Sequence, residues 1–315
     1  MTSAPWTPTI CLYHAQCNDG FGAAFAVWLK TKAHCQFIPV SYGALPPDQI
    51  AAHDDVLIVD FSYSKDQLLK LGAKAHSVVV LDHHKTAEAD LVQFTLPTTL
   101  KGFRHDLSGL LDTYYVSGKS PVIAVFDIRR SGAQMAWDFM HETARPLLID
   151  LIGDHDLWRH ELPGSKETAW ALGSYAHDFR IWEQLNLHAQ ALALEGKTIL
   201  RAARMFITEC LPMTRTVEIG GHFVPALNML PPYMSEAGHT LLDEHPTAPF
   251  AATWYRTLDG DMWSLRSQDS RTAVSDIARD HGGGGHRNAA GFKTWAGRFM
   301  SDIGRIPDGA ARKIA

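Results

Sequence analysis

The chain has 315 residues, with 29 Lys and Arg against 34 Asp and Glu, and is 46% hydrophobic and 20% charged. That length accommodates about two domains of ordinary size, and the apolar content excludes a disordered or collagen-like chain. A net charge of −5 argues against the broad basic face that coats long DNA, but not against a cleft that concentrates cations on a nucleotide.

The first residues, MTSAPWTPT, lack the basic start and apolar stretch of a secretory signal. No apolar run approaches the roughly 20 residues that span a bilayer. Cys11, Cys17, Cys35 and Cys210 are scattered without a CxxC pair, which fits a reducing compartment rather than a disulfide framework or zinc ribbon. A soluble, cytoplasmic protein without a membrane partner is expected. The 17 histidines raise the prospect of metal chemistry only slightly, because surface histidines alone would produce the count.

Along the chain, short apolar runs end in an acid or a histidine: TICLYH (9–14), VLIVD (56–60), SVVVLDHH (77–84) and PVIAVFD (121–127). Such runs are too short for helices and read as strands buried on both faces of a parallel sheet. Helical patterns over 20–33, 64–75, 132–142 and 145–154 alternate with them, which predicts a doubly wound, Rossmann-like α/β domain. Ser131-Gly132-Ala133 reads as a helix start concerned with capping and packing. Segment 86–120 has mixed polarity and reads as an insertion. One long helix is expected over 184–210, ending before Pro212. Beyond it, VEIGGHFVPALNM, FAATWYRTLDG and DMWSLRSQ read as strands, the last two joined as a hairpin across Asp259-Gly260. A helix over 272–281 then precedes GGGGHRNAAGF. The expected organisation is a first domain over 1–190, a helical connector over 191–214 and a smaller α/β domain over 215–315.

In an open parallel sheet, ligands bind at the carboxyl ends of the strands. Those ends carry His14 with Asp19, then Asp60, then Asp82-His83-His84, with Asp154 and Asp156 later in GDHDLW. Any one acid there is as easily a helix N-cap. Four clusters brought to one edge offer carboxylate and imidazole donors suited to Mn²⁺, Mg²⁺ or Fe²⁺. Two ions roughly 3.5–4 Å apart would activate water and clamp a phosphoryl oxygen. In the tail, Gly282 to Gly285 let backbone N–H groups approach an anion, beside His286, Arg287 and Asn288. On the preceding strand Arg266, followed by Ser267, can pair with a phosphate through its planar fork.

The segment LDHHK, with VDFS upstream, GDHDLW downstream and a C-terminal GGGGHRNAAGF, resembles the DHH phosphoesterases that carry a DHHA1 domain, over nearly the whole chain and in the same order. The resemblance implies a parallel-sheet DHH domain, a smaller DHHA1 domain and an active cleft between them. It implies manganese, one ion or two, on the first domain, with Mg²⁺, Fe²⁺ or Zn²⁺ as alternatives. By position, Asp60 would bridge the ions, Asp19, His83 and Asp154 would complete one site, and His14 would serve the other. Asp154 is preferred to Asp156 because it directly follows the apolar LLIDLIG. His84 would face the scissile phosphate, Asp82 would orient the neighbouring imidazole, and His286 would reach the same group. Arg266, Ser267, Gly283, Gly284, Gly285, Arg287 and Asn288 would hold substrate. Cys17 stands where relatives carry a carboxylate, either as a soft ligand or, on a slight preference, as a packing residue beside a weak first site.

The expected activity is hydrolysis of phosphodiester bonds in short oligonucleotides or in linear or cyclic dinucleotides, with no long duplex as partner. A homodimer is compatible with the sequence. The alternatives are a nucleotide-binding sensor with weakened catalysis, and a pyrophosphatase or polyphosphatase, against which GGGGHRNAAGF counts.

Overall fold

The computed structural model describes residues 4–41, 43–96 and 99–295. Residues 296–315, the end of the expected second domain, lie outside the described residues. The chain divides into two compact units, 1–199 and 200–315. Among the described residues no helix is long and apolar enough to cross a membrane.

In the first unit, β1 (Ile10–His14) leads through α1 (Asn18–Thr31) to β2 (Gln36–Val40). Then follow β3 (Asp55–Val59), α2 (Lys65–Lys74), β4 (Ser77–Asp82), α3 (Lys85–Asp90), α4 (Phe103–Val116) and β5 (Val122–Phe126). Helices α5 (Gly132–Met140), α6 (Leu147–Asp156), α7 (Ser165–Leu172) and α8 (Phe179–Leu187) complete it, and the division between the units falls inside α9 (Ala189–Cys210). The stretch read as an insertion thus contains two helices. The helix expected over 184–210 is interrupted at His188, whose backbone leaves the helical region at φ −124°, ψ 30°.

The five strands are parallel in the order β2-β1-β3-β4-β5. Alternation of side chains along each strand sorts them into two cores. Cys11, Leu57, Val59, Val79, Leu81 and Ile123 pack on one face with Phe21 and Phe25 of α1, Met135 of α5 and Ile152 of α6. Leu12, Val56, Ile58, Val78, Val80 and Val122 pack on the other with Leu68 and Leu71 of α2. Burial on both faces is what the uninterrupted aliphatic runs demand, each fully buried Val, Leu or Ile contributing about 1.5–3 kcal/mol. After β1 the chain moves outward to β2, then returns to the other side of β1 to form β3. The strand order therefore reverses between β1 and β3, where a crevice opens at the carboxyl ends. His14 ends β1 and Asp60 follows β3, so the topology brings these two residues to that crevice.

In the second unit a six-stranded sheet runs β10-β11-β9-β8-β7-β6. Its elements in chain order are β6 (Arg215–Ile219), β7 (His222–Asn228), α10 (Met234–Glu244), β8 (Ala251–Thr257), β9 (Gly260–Arg266), α11 (Val274–Asp280), β10 (Gly284–His286) and β11 (Ala289–Trp295). Only the β7–β8 pair is parallel. Strands β8 and β9 form the hairpin expected at Asp259-Gly260, with Thr257 opposite Gly260. Val224, Trp263, Leu265, Val274 and Phe292 form the core against α11, and Leu241 and Leu242 of α10 pack with Leu227 and Ala251.

Candidate metal centre

Asp60 sits at the middle of the crevice. Its backbone takes φ +64°, a left-handed conformation that costs a non-glycine residue about 1 kcal/mol and that aspartate tolerates better than most. The turn lets Asp60 N–H donate to the Leu81 carbonyl at 3.1 Å. One carboxylate oxygen, Oδ1, accepts from His83 Nε2 at 3.0 Å. The other, Oδ2, lies 3.4 Å from His14 Nδ1. Two further carboxylates approach the same imidazole, with Asp156 Oδ2 at 3.6 Å and Asp19 Oδ2 at 3.8 Å from His83 Nε2. Donor atoms of Asp19, His83 and Asp156 all lie within 4.8 Å of one another, as do those of His14, Cys17 and Asp60. Asp60 therefore presents one oxygen to each of two adjoining donor groups.

Asp19 is held by the N-terminus of α5, whose Gly132 and Ala133 N–H groups donate to its two oxygens at 2.6 and 3.1 Å. Ser131 caps that helix and Gln134 closes the capping box. A Cβ on Gly132 would stand 2.5 Å from Asp60 Cβ and 2.9 Å from Asp19 Oδ2, so only glycine fits between the two acids. Capping was legible in Ser131-Gly132-Ala133; the grip on Asp19 was not, because it joins residues far apart in the chain.

Burial alone would raise Asp60, yet the imidazoles of His14 and His83 on its two oxygens hold its carboxyl well below the usual range. Burial also opposes charge on His83, but its bond to Asp60 and the charges of Asp156, Asp60 and Asp19 lift it to about 10. Asp19 and Asp156 are both pushed up, first by burial, with the charge of Asp60 adding to it. Asp156 Oδ2 is buried and accepts no hydrogen bond, and Asp60 Oδ2 is buried with the His14 imidazole at 3.4 Å. Crowded, buried carboxylates with unsatisfied oxygens are costly, and the donor set of three carboxylates and two imidazoles fits a divalent cation.

Beside this cluster, Asp82 Oδ1 accepts from His83 N at 2.7 Å, His84 N at 3.2 Å and His84 Nδ1 at 2.6 Å. Its other oxygen accepts from Ser62 Oγ at 2.6 Å. Burial raises Asp82, but the charge and hydrogen bond of His84, with the Ser62 hydroxyl, bring it below its ordinary value. The same pair raises His84 against the effect of burial. The imidazole that Asp82 orients is thus that of His84. Ser62 was missed in the sequence; the only signal was its place two residues after Asp60.

Of the two aspartates of GDHDLW, the structure brings Asp156 and not the expected Asp154 to His83. The Asp154 carboxylate is in neither donor group and accepts from Glu161 N at 3.0 Å and Leu162 N at 3.2 Å, closing the turn after α6. Asp156 takes the place by His83. Both lie on α6, and two residues of helix rotate a side chain by about 200°, so the two cannot face the same way. Cys17, for which packing was preferred, has its sulfur with His14 and Asp60.

In the second unit, the Arg266 guanidinium donates from Nε to Ser235 Oγ at 3.2 Å, and from Nη1 to Ser264 Oγ at 2.8 Å and the Leu265 carbonyl at 2.9 Å. Burial lowers it to about 10 and no carboxylate among the described residues offsets that. The other expected substrate residues are engaged locally. Ser267 Oγ donates to Thr272 O at 2.6 Å, Arg287 Nη2 to Asp269 O at 2.9 Å, and Asn288 Nδ2 to Asp269 Oδ1 at 2.6 Å, which together brace the loop after β9. The glycine run leads into a strand hairpin. Gly283 N–H donates to Ala278 O at 2.8 Å, Gly284 and Gly285 lie in β10 with His286, and a Cβ on Gly283 would stand 2.0 Å from the Gly291 carbonyl oxygen.

No family model matches the chain. An uncharacterized protein, R106, of Acanthamoeba polyphaga mimivirus is 27% identical over 310 residues, an alignment covering 90% of this chain and 66% of that protein. Among solved structures, the DHH domain of a member of the s1p family of ribosomal proteins superimposes with a TM-score of 0.58 at 14% identity, over 94% of this chain and 84% of that one. RecJ in complex with Mn²⁺ from Thermus thermophilus gives 0.51 at 17% identity, over 97% of this chain and 52% of that one. The chain has the fold of the DHH-domain proteins. Its DHH triplet, Asp82-His83-His84, stands at the end of β4.

Proposed function

We propose that the protein is a metal-dependent phosphodiesterase acting on short oligonucleotides or on linear or cyclic dinucleotides. The observation that carries this reading is Asp60, with one oxygen on the Asp19–His83–Asp156 group and the other on the His14 side. Asp19, His83 and Asp156 would hold one divalent ion, and His14 with Asp60 a neighbouring one. For the Asp19–His83–Asp156 group Mn²⁺ is the favoured ion, in keeping with the Mn²⁺ of the Thermus RecJ structure. Such an ion supplies Lewis acidity toward a phosphoryl oxygen and acidifies water.

The protein's own groups do the rest. Asp82 fixes His84 through Nδ1 and favours its protonated form, and His84 would donate a hydrogen bond to a phosphate oxygen as charge develops there. The α5 N-terminus holds Asp19 in place against the repulsion of its neighbours. On the second unit, Arg266 supplies a buried cation for a substrate phosphate, and His286 is a second donor. A chain of net charge −5 has little with which to track a long polyanion, which favours short substrates. The test is release of mononucleotides from a dinucleotide by the purified protein with Mn²⁺, beside inorganic pyrophosphate and polyphosphate. Turnover of the dinucleotide supports the reading. Turnover of the inorganic substrates alone, or dinucleotide binding without cleavage, would overturn it.

A further inference from the structure

We propose that Cys17 Sγ joins His14 and Asp60 as a donor in a mixed sulfur, nitrogen and oxygen site, and that this site takes a borderline-soft divalent ion such as Zn²⁺, Fe²⁺ or Co²⁺ in preference to Mn²⁺ or Mg²⁺. The inference rests on the reading of Asp60 as a ligand and deepens it.

The ligand atoms of His14, Cys17 and Asp60 lie within 4.8 Å of one another. Donors 2.0–2.3 Å from a tetrahedral zinc stand about 3.6 Å apart, so the three, within 4.8 Å of one another, need to close by about 1.2 Å at most, which side-chain torsions supply. Asp60 is 2% exposed, and its buried Oδ2 meets the His14 imidazole at 3.4 Å. That buried carboxylate oxygen, held by a long ion pair to His14, is an observation independent of the cysteine.

Packing accounts for the other cysteines but not for this one. Cys11, Cys35 and Cys210 are buried at 0%, 7% and 9% exposure, as small apolar residues in a core. Cys17 is only partly buried and is the N-cap of α1, where its side chain makes no capping bond. A serine, threonine, aspartate or asparagine would stabilise that position by about 0.5–2 kcal/mol relative to a non-capping residue. The backbone also bends to deliver the sulfur. Between β1 and α1, Gln16 adopts φ +56°, a left-handed conformation in a non-glycine residue, and Gly20 lets α1 start against β1, since a Cβ there would stand 2.3 Å from the His14 carbonyl oxygen. Strained residues at the ends of β1 and β3 both flank the same three donors, as functional sites often show. Thiolate is the soft member of the set, so it shifts selection from Mn²⁺ and Mg²⁺ toward zinc, ferrous iron and cobalt.

The experiment is titration of the metal-free full chain with Co²⁺, followed by absorption. Wild type should develop a sulfur-to-cobalt charge-transfer band in the near ultraviolet; Cys17→Ser should lack it, and His14→Ala should weaken it. In Cys17→Asp the band should be absent while cobalt stoichiometry is retained, with preference for Zn²⁺ over Mn²⁺ reduced by about tenfold or more, the scale on which changes around a metal act. A wild type without the band, or a Cys17→Ser protein that keeps it, overturns the inference. Should the variants fail to fold by circular dichroism, alkylation of wild-type Cys17 by iodoacetamide decides: Zn²⁺ should protect it, and equal labelling with and without Zn²⁺ refutes the site. Dinucleotide turnover with Mn²⁺ but no sulfur band would sink this inference alone. A sulfur band with no phosphodiester cleavage would sink the phosphodiesterase reading alone.

Discussion

Replacing Gly132 by alanine places a methyl group 2.5 Å from Asp60 Cβ, 2.9 Å from Asp60 Cγ and 2.9 Å from Asp19 Oδ2. None of these atoms is the loose end of an exposed side chain, because both acids are buried, Asp19 at 1% and Asp60 at 2% exposure. The start of α5 must therefore shift, and the Gly132 N–H bond to Asp19, at 2.6 Å, lengthens with it. Inserting a methyl into a filled site costs about 1–3 kcal/mol, and weakening a hydrogen bond to a charged group costs up to about 1.5–3 kcal/mol more. Against this, alanine restricts the unfolded chain and gains about 0.4–1 kcal/mol. The balance is a loss of about 1.5–5.5 kcal/mol, which at about 2–4 °C per kcal/mol lowers Tm by at least several degrees. Because both acids move, divalent-metal affinity should fall by about 10–100-fold. Calorimetric titration with Mn²⁺ beside thermal melts measures both effects. Gly109→Ala is the matched control: it lies exposed in α4, a Cβ there meets nothing within 4 Å, and the change should be neutral or stabilising. A Gly132→Ala protein with unchanged Tm and affinity within about twofold of wild type would refute the account of the acid cluster.

Asp156→Asn should cut metal affinity by about 10–100-fold, while Asp154→Asn should leave metal stoichiometry intact and lower Tm slightly; elemental analysis of both proteins distinguishes them. Arg266→Ala should raise KM for a dinucleotide more than it lowers kcat, and equal loss in both would show that it acts in the transition state instead. The metal-free protein should lose stability as pH rises from 6.5 to about 10, since His83 is lifted from 6.5 to about 10 on folding and its favourable pairing, complete below 6.5, disappears as it deprotonates. Metal affinity should rise over the same window, because the ion displaces the His83 proton; a flat melt and a flat affinity across that range would contradict the charge arrangement around His83.

The aliphatic runs ending at His14, Asp60 and Asp82 made the parallel sheet and its edge of acids and histidines legible, because a strand buried on both faces must be apolar at every position and the polar residues fall at its end. The Asp259-Gly260 hairpin was legible from turn chemistry for a similarly local reason. Choices that depend on the phase of a helix were not legible: Asp154 and Asp156 have the same chemistry two residues apart, and only the seating of α6 decides which meets His83. Contacts between distant segments were equally hidden. Nothing local to Asp19 announces the N–H groups of Gly132 and Ala133, and nothing in VDFS announces the Ser62 bond to Asp82. Four glycines in a row permit a loop or a strand, and it is the close approach of β11 that makes a strand of Gly284 and Gly285. Local pattern therefore determined the buried strands of the first sheet, the hairpin and the residues that end those strands, because burial and turn geometry act over a few residues. Tertiary packing decided which of those ends meet, because hydrogen bonds and carboxylate clusters are set by distances that the chain closes only when it folds.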